Sequence, residues 1–202
     1  MHSVQAWAFP PASPARYPDP WRTNLSKTTF SAEHLDRVAL RYLNRFDSSV
    51  ANLRRVLMQE LRRAQRSTVE LPDAETAHKL IDELLERYQR SSLLDDARYA
   101  VAFAAAQRAR GASRRLIAQK LRQRGVPAAT ANAALSSADC DSGNAELEAA
   151  LKFVRKKRLG PHRPAELREE KRRRDLAALA RAGFSFEVAV RALGADAPDD
   201  AF

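Results

Sequence analysis

Apolar side chains recur every three or four positions along most of the chain. Val38, Ala39, Tyr42, Leu43 and Phe46 keep that spacing, and so do Leu53, Val56, Leu57 and Leu61. The period sets them on one face of a helix. The next set is Ala77, Leu80, Ile81, Leu84, Leu85 and Tyr88, with Pro72 suited to a first helical turn. Tyr99, Ala102, Phe103 and Ala106 follow, then Ile117, Ala118 and Leu121. A shorter helix is predicted over 127–135, then a small polar loop over 136–144. Helices resume with Leu147, Leu151 and Val154, with Leu176, Leu179 and Ala180, and with the stretch 188–193. No segment sustains the period-two alternation of a half-buried strand, so the pattern predicts an all-α protein without a sheet.

The helical pattern also repeats. GVPAATANAAL at 125–135 aligns without a gap on GFSFEVAVRAL at 183–193, an offset of 58, and Leu121 then falls on Leu179. Each copy reads as a helix, a glycine cap and a short helix. A weaker copy lies upstream, where Ser49, Leu53 and Leu57 match Ser113, Ile117 and Leu121 at an offset of 64. Each unit is predicted to hold three helices. Together they predict an elongated, curved array of three tandem three-helix repeats over 31–90, 91–138 and 144–194. The third carries extra residues near 160–170, where Pro161 and Pro164 break any continuous helix. Residues 1–30 hold five of the ten prolines, with Trp7 and Trp21 among them, and read as a flexible tail. Residues 195–202 read as an acidic, frayed end.

Charge changes the picture. The 202 residues carry a formal charge of +10, a balance that points to nucleic acid or an assembly containing it. The charge is segregated: 37–66 is net +6, 98–124 is net +8 with no acid, and 151–181 is net +8, whereas 67–97 is net −5 and 136–149 is net −4. Basic blocks thus recur once per repeat, and stacked repeats would align them into a stripe. Candidate contacts with a partner or DNA are Arg54, Arg55, Arg98, Arg108, Arg110, Arg114, Arg115, Arg122, Arg124, Lys156, Lys157, Arg172 and Arg173. With Ile117, Ala118 and Leu121 facing the core, Arg115 and Arg122 share one flank, and Arg108 is expected to point outward. Any single arginine here also reads as an ordinary solvated side chain; the set points to a polyanion or an acidic groove. Aromatic residues are 7% of the chain and fall mostly on predicted core faces, which argues against single-strand binding by base stacking.

Signs of catalysis are missing. The sequence has no phosphate-loop or dinucleotide-binding glycine pattern and no H-E-x-x-H. The single Cys140 excludes a disulfide framework, and the four histidines are too far apart in sequence for a metal cluster, so no cofactor or metal is expected. Asp95 and Asp96 read as helix capping, with Ser92 as the cap of a capping box, rather than as an acid/base pair. The longest run without charge or strong polarity, 99–106, is far shorter than the ~20 residues of a membrane span. The N-terminus does not read as a signal peptide. A cytoplasmic, monomeric, non-enzymatic protein is the expectation.

The stretch 93–100 (LLDDARYA), followed by Phe103, Arg108, Gly111, Leu116-Ile117, Leu121 and Gly125-Val126, resembles the RecX family of recombinase regulators. Ala39, Tyr42-Leu43, Arg45, Ser48-Ser49 and Leu53 fit the family's first repeat, and 179–185 (LARAGFS) is similar to its ending. The likeness covers roughly 35–193, although the basic residue expected beside Ile117 is displaced to Arg115. It implies three tandem three-helix repeats without catalytic residues. It also implies a protein that binds the filament formed by the RecA recombinase on single-stranded DNA, lodges in its groove, and inhibits filament growth, ATP hydrolysis and strand exchange. Two other readings of the basic helices stay open: direct binding to DNA with no recombinase partner, and a helical adaptor for an acidic protein.

Overall fold

The computed structural model describes residues 30–66, 71–139 and 144–194. The expectations for the proline-rich tail, for Cys140 and for the acidic end fall outside these residues. The described chain forms α1 (Ala32–Leu43), α2 (Val50–Ala64), α3 (Ala74–Arg90), α4 (Asp96–Ala109), α5 (Arg114–Gln123), α6 (Ala128–Asp139), α7 (Ala145–Lys157), α8 (Ala165–Arg181) and α9 (Phe186–Gly194). A 3-10 turn, Gly160–His162, precedes α8, and no strand occurs among the described residues. The all-α reading therefore holds. Two boundaries move. Asp73 caps α3, its carboxylate accepting from the Thr76 N–H at 2.9 Å, so Pro72 precedes the first turn. Helix α6 continues through Ser136 and Ser137 to Asp139, into the predicted loop, because Asp139 is gripped there by two arginines.

The described residues form two compact units. The first holds α1, α3 and α2 from Leu53 onward; the second holds α4–α9 together with Ser49–Asn52. In the first unit Leu35, Leu53, Leu57 and Ile81 are completely buried, each worth about 1.5–3 kcal/mol of burial. Polar ties fix how its helices meet. The Tyr88 hydroxyl donates to Asp36 Oδ1 at 2.9 Å, Arg87 pairs with the same carboxylate, and His34 Nε2 lies 3.3 Å from Glu60 Oε1. Burial, aided by the Asp36 carboxylate, pushes the Tyr88 hydroxyl up to about 12.

In the second unit, α4–α6 and α7–α9 are built alike. Phe103, Ile117, Leu121 and Leu135 are buried in one group, and Val154, Leu179, Phe184 and Leu193 in the other. The sequence repeat marks matching helix ends. After α5, the Val126 N–H reaches the Leu121 carbonyl at 3.1 Å; after α8, the Phe184 N–H reaches the Leu179 carbonyl at 3.1 Å. This closure requires positive φ at the residue between, supplied by Gly125 at +76° and Gly183 at +93°.

Serines and carboxylates tie helix starts to other parts of the unit. Ser113 and Ser49 are both fully buried. The Ser113 Oγ accepts from the Leu116 N–H at 3.2 Å and donates to the Ala182 carbonyl at 2.6 Å. The Ser49 Oγ accepts from the Asn52 N–H at 3.2 Å and donates to the Arg124 carbonyl at 2.5 Å. Asp96 accepts the first N–H of α2, from Val50 at 2.9 Å, and Glu146 accepts that of α5, from Arg114 at 3.1 Å. Asp95 itself caps α4, accepting from the N–H groups of Ala97 at 2.8 Å and Arg98 at 3.0 Å. Ser92 is therefore not the cap; it lies at a φ of +56°, just past α3. The two adjacent aspartates serve two different helices.

The predicted extra segment of the third group is fastened from within. Asp175, 1% exposed, accepts two hydrogen bonds from the Arg163 guanidinium, at 2.9 and 2.8 Å, and one from the Gly160 N–H at 2.9 Å. Burial opposes its ionised form, but these donors outweigh burial and hold the carboxyl below its ordinary value.

Candidate functional site

The nominated basic side chains separate by what they touch. In the first unit, Arg54 pairs with Asp82 at 2.7 Å, while Arg55 is exposed. In the second unit, Arg98 donates to the carbonyls of Ser92 at 3.1 Å and Leu93 at 3.4 Å, fastening the entry to α4. Arg108 does not point outward as its helix position suggested. Its side chain is 11% exposed, pairs with Asp139 at 2.7 Å and with Glu146, and also donates to the Ala112 carbonyl at 3.2 Å. Arg114 pairs with the same Asp139. The acids at the end of α6 and the start of α7 thus claim two of the nominated arginines. A local reading of α4 missed this, since the acids lie 31 and 38 residues away.

The remaining cations are presented differently. Arg124 lies over the Phe103 ring, 4.7 Å from its centroid, and donates to the Tyr99 hydroxyl at 2.8 Å. Lys120 was not singled out from the sequence, yet it sits among these cations and donates to Gln107 Oε1 at 2.8 Å. Partial burial, then the nearby charges of Arg124 and Arg110, hold the Lys120 ammonium below its ordinary value. Arg110 is exposed at the end of α4. Arg115 and Arg122 are exposed on α5 and make no ion pair among the described residues. Their seven-residue spacing keeps them on one flank, opposite the buried Ile117 and Leu121. Lys156 and Lys157 are exposed in the last turn of α7; on α8, Arg173 is exposed and Arg172 half-buried.

A cleft of about 420 Å³ opens beside Arg115. Ala118, Leu135 and Gly183 form part of its lining, with Asp139 and Glu146 also on its wall. Gly183 permits the close packing here: a Cβ on it would come within 2.6 Å of the Ser113 Oγ and 3.3 Å of the Arg115 Cβ. Ser185 also lines the cleft, and Phe186 follows it, 75% exposed. Sequence reasoning passed over Phe186 because the spacing rule registers apolar residues without saying which are left uncovered. Among the described residues no group of three His, Cys, Asp or Glu side chains could hold a metal ion, and no helix is long and apolar enough to cross a membrane.

Comparison with known proteins adds independent information. A family model described as RecX, second three-helix domain, matches residues 95–135, which span α4, α5 and most of α6. The Regulatory protein RecX of Myxococcus xanthus is 44% identical over 166 residues, covering 81% of this chain and 86% of that protein. The fold is similar to a crystal structure of regulatory protein RecX, with a TM-score of 0.56 and 21% identity over 79% of this chain and 71% of the other. It is also similar to the crystal structure of RecX from Lactobacillus salivarius, with a TM-score of 0.55 and 15% identity over 80% of this chain and 94% of the other. Identity of this level, sustained across most of both chains in the Myxococcus relative, establishes that this chain belongs to the RecX family of regulatory proteins.

Proposed function

We propose that this protein is a negative regulator of homologous recombination that binds the RecA filament on single-stranded DNA. It acts as a monomer in the cytoplasm, lodges in the filament groove, and inhibits filament growth, ATP hydrolysis and strand exchange without chemistry of its own. The observation that carries this reading is the exposed flank of α5. Arg115 and Arg122 lie there without ion pairs among the described residues, in a block from 98 to 124 that contains no acid. Such charge favours phosphates and acidic protein surface. Arg110, Lys120 and Arg124 extend the positive field, with Lys156, Lys157, Arg172 and Arg173 as further contacts. Arg108 and Arg114 serve mainly to hold the unit together. Affinity is spread over many contacts, so a single Arg→Ala change costs little.

The deciding experiment titrates this protein into the single-strand-dependent ATP hydrolysis of the cognate RecA at two salt concentrations, with binding to free strand measured alongside. Inhibition well below one molecule per RecA protomer, weakening steeply with salt, is the expected result. Inhibition only when the free strand is saturated would move the assignment to direct DNA binding. No inhibition at all would refute filament regulation.

A further inference from the structure

An exposed phenylalanine at the first position of a surface helix gains nothing from the fold around it. Phe186 is 75% exposed, whereas Phe184, two residues earlier, is buried against Phe153 with ring centroids 5.8 Å apart. The internal repeat supplies a control. At the offset that matches Gly125 to Gly183, Phe186 corresponds to Ala128. Both open a short helix after the same glycine turn, and Ala128 is exposed too. The architecture accepts alanine there, so the aromatic ring of the third group is not a packing requirement.

The surroundings define what the ring could meet. Phe186 adjoins the cleft lined by Ser185 and Gly183, whose apolar lining includes Ala118 and Leu135. Arg115 contributes positive charge on one part of the wall, and Asp139 and Glu146 contribute carboxylates on another. A phosphodiester backbone lying in this cleft would meet those carboxylates. A polypeptide suits the mixture better: an apolar side chain against Phe186 and the cleft, an acidic side chain on Arg115, and backbone N–H groups toward the carboxylates. Exposed aromatic and arginine side chains placed together are the usual energetic anchors of protein interfaces.

We propose that Phe186 and the adjoining cleft form an anchor for a protein segment combining an apolar side chain with acidic neighbours, contributed by the recombinase rather than by the DNA. This rests on the filament-binding reading above and assigns part of that contact to protein.

The test uses full-length Phe186→Ala and Phe186→Tyr, with helicity and melting temperature compared with the parent protein. Inhibition of RecA ATP hydrolysis and binding to free single strand are measured for each. Phe186→Ala should fold as the parent does, need roughly tenfold more protein for half-inhibition, and bind free strand unchanged, while Phe186→Tyr recovers most of the inhibition. If Phe186→Ala inhibits as well as the parent, the anchor is refuted and filament regulation stands. If inhibition and free-strand binding fall together, the ring stacks on a base and the assignment to protein is wrong. If the parent protein does not inhibit, both readings fall.

Discussion

The Ser113 hydroxyl donates to the carbonyl of Ala182, 69 residues further on, at 2.6 Å. Ser49 repeats the arrangement with Arg124 at 2.5 Å. In both cases a buried serine caps the start of one helix and satisfies the carbonyl at the end of another, immediately before a glycine of positive φ. One hydroxyl thereby answers two helix ends that would otherwise be left short of partners.

Replacing Ser113 with alanine removes both bonds and leaves the Ala182 carbonyl without this donor. The expected loss is about 1–3 kcal/mol, read as a lower urea midpoint with an unchanged slope. An unchanged midpoint would mean that the hydroxyl contributes nothing net. Gly183→Ala should be more damaging, because it combines a φ of +93° with a Cβ 2.6 Å from the Ser113 Oγ.

Arg108 joins α4 to Asp139 and Glu146. Arg108→Ala should cost about 2–4 kcal/mol, at or below the range for a fully buried pair, because both acids stay partly exposed. Thermal melting would show this. The protein that remains folded should still inhibit RecA per molecule; lost inhibition at full helicity would instead make Arg108 a contact residue.

Asp175 gives a pH dependence with a definite sign. Its folded carboxyl lies below the ordinary value of 3.8, so the unfolded chain takes up this proton first as pH falls. The stabilisation is therefore complete above the unfolded value and is lost as pH falls through the folded one. Asp175→Asn should be destabilised near neutral pH and show a flatter acid limb than the parent in denaturation midpoints measured between about pH 6 and pH 3. Parallel limbs would contradict this.

At the end of α7 the left-handed position is filled by Arg158, at a φ of +51°, where α5 and α8 are followed by glycine. Arg158→Gly relieves that strain but adds freedom to the unfolded chain, for a net gain of about 0.5–1 kcal/mol. A rise in melting temperature is expected; a fall would show that the arginine side chain makes a stabilising contact.

Reversing Arg115 and Arg122 together to glutamate changes the charge of one exposed flank while the buried face of α5 is untouched. Inhibition of RecA should weaken by about tenfold or more and show a shallower salt dependence, with circular dichroism unchanged. Full inhibition by this variant would place the contact surface elsewhere.

The helices were legible because their signal is local. Leu53, Leu57 and Leu61, or Ile117 and Leu121, must share a face whatever they pack against, since the helical period alone directs their side chains. The glycine turns at Gly125 and Gly183 were legible for the same reason, as the repeat places each directly after a predicted helix. Neither reading required knowing which helices are neighbours.

The fate of the charges did require it. Arg108 and Arg115 look alike in sequence, two arginines in one acid-free block, yet one is enclosed by Asp139 and Glu146 and the other stands exposed beside a cleft. Asp95 and Asp96 are adjacent, yet one caps its own helix and the other the start of α2. Phe184 and Phe186 are two residues apart, one buried and the other open to solvent. Hydrophobic periodicity by itself determined the helices, the repeat and the buried faces. Only the tertiary structure decided which charges are neutralised and which surface is left to a partner, because an ion pair or an uncovered ring depends on groups that the fold brings near from distant parts of the chain.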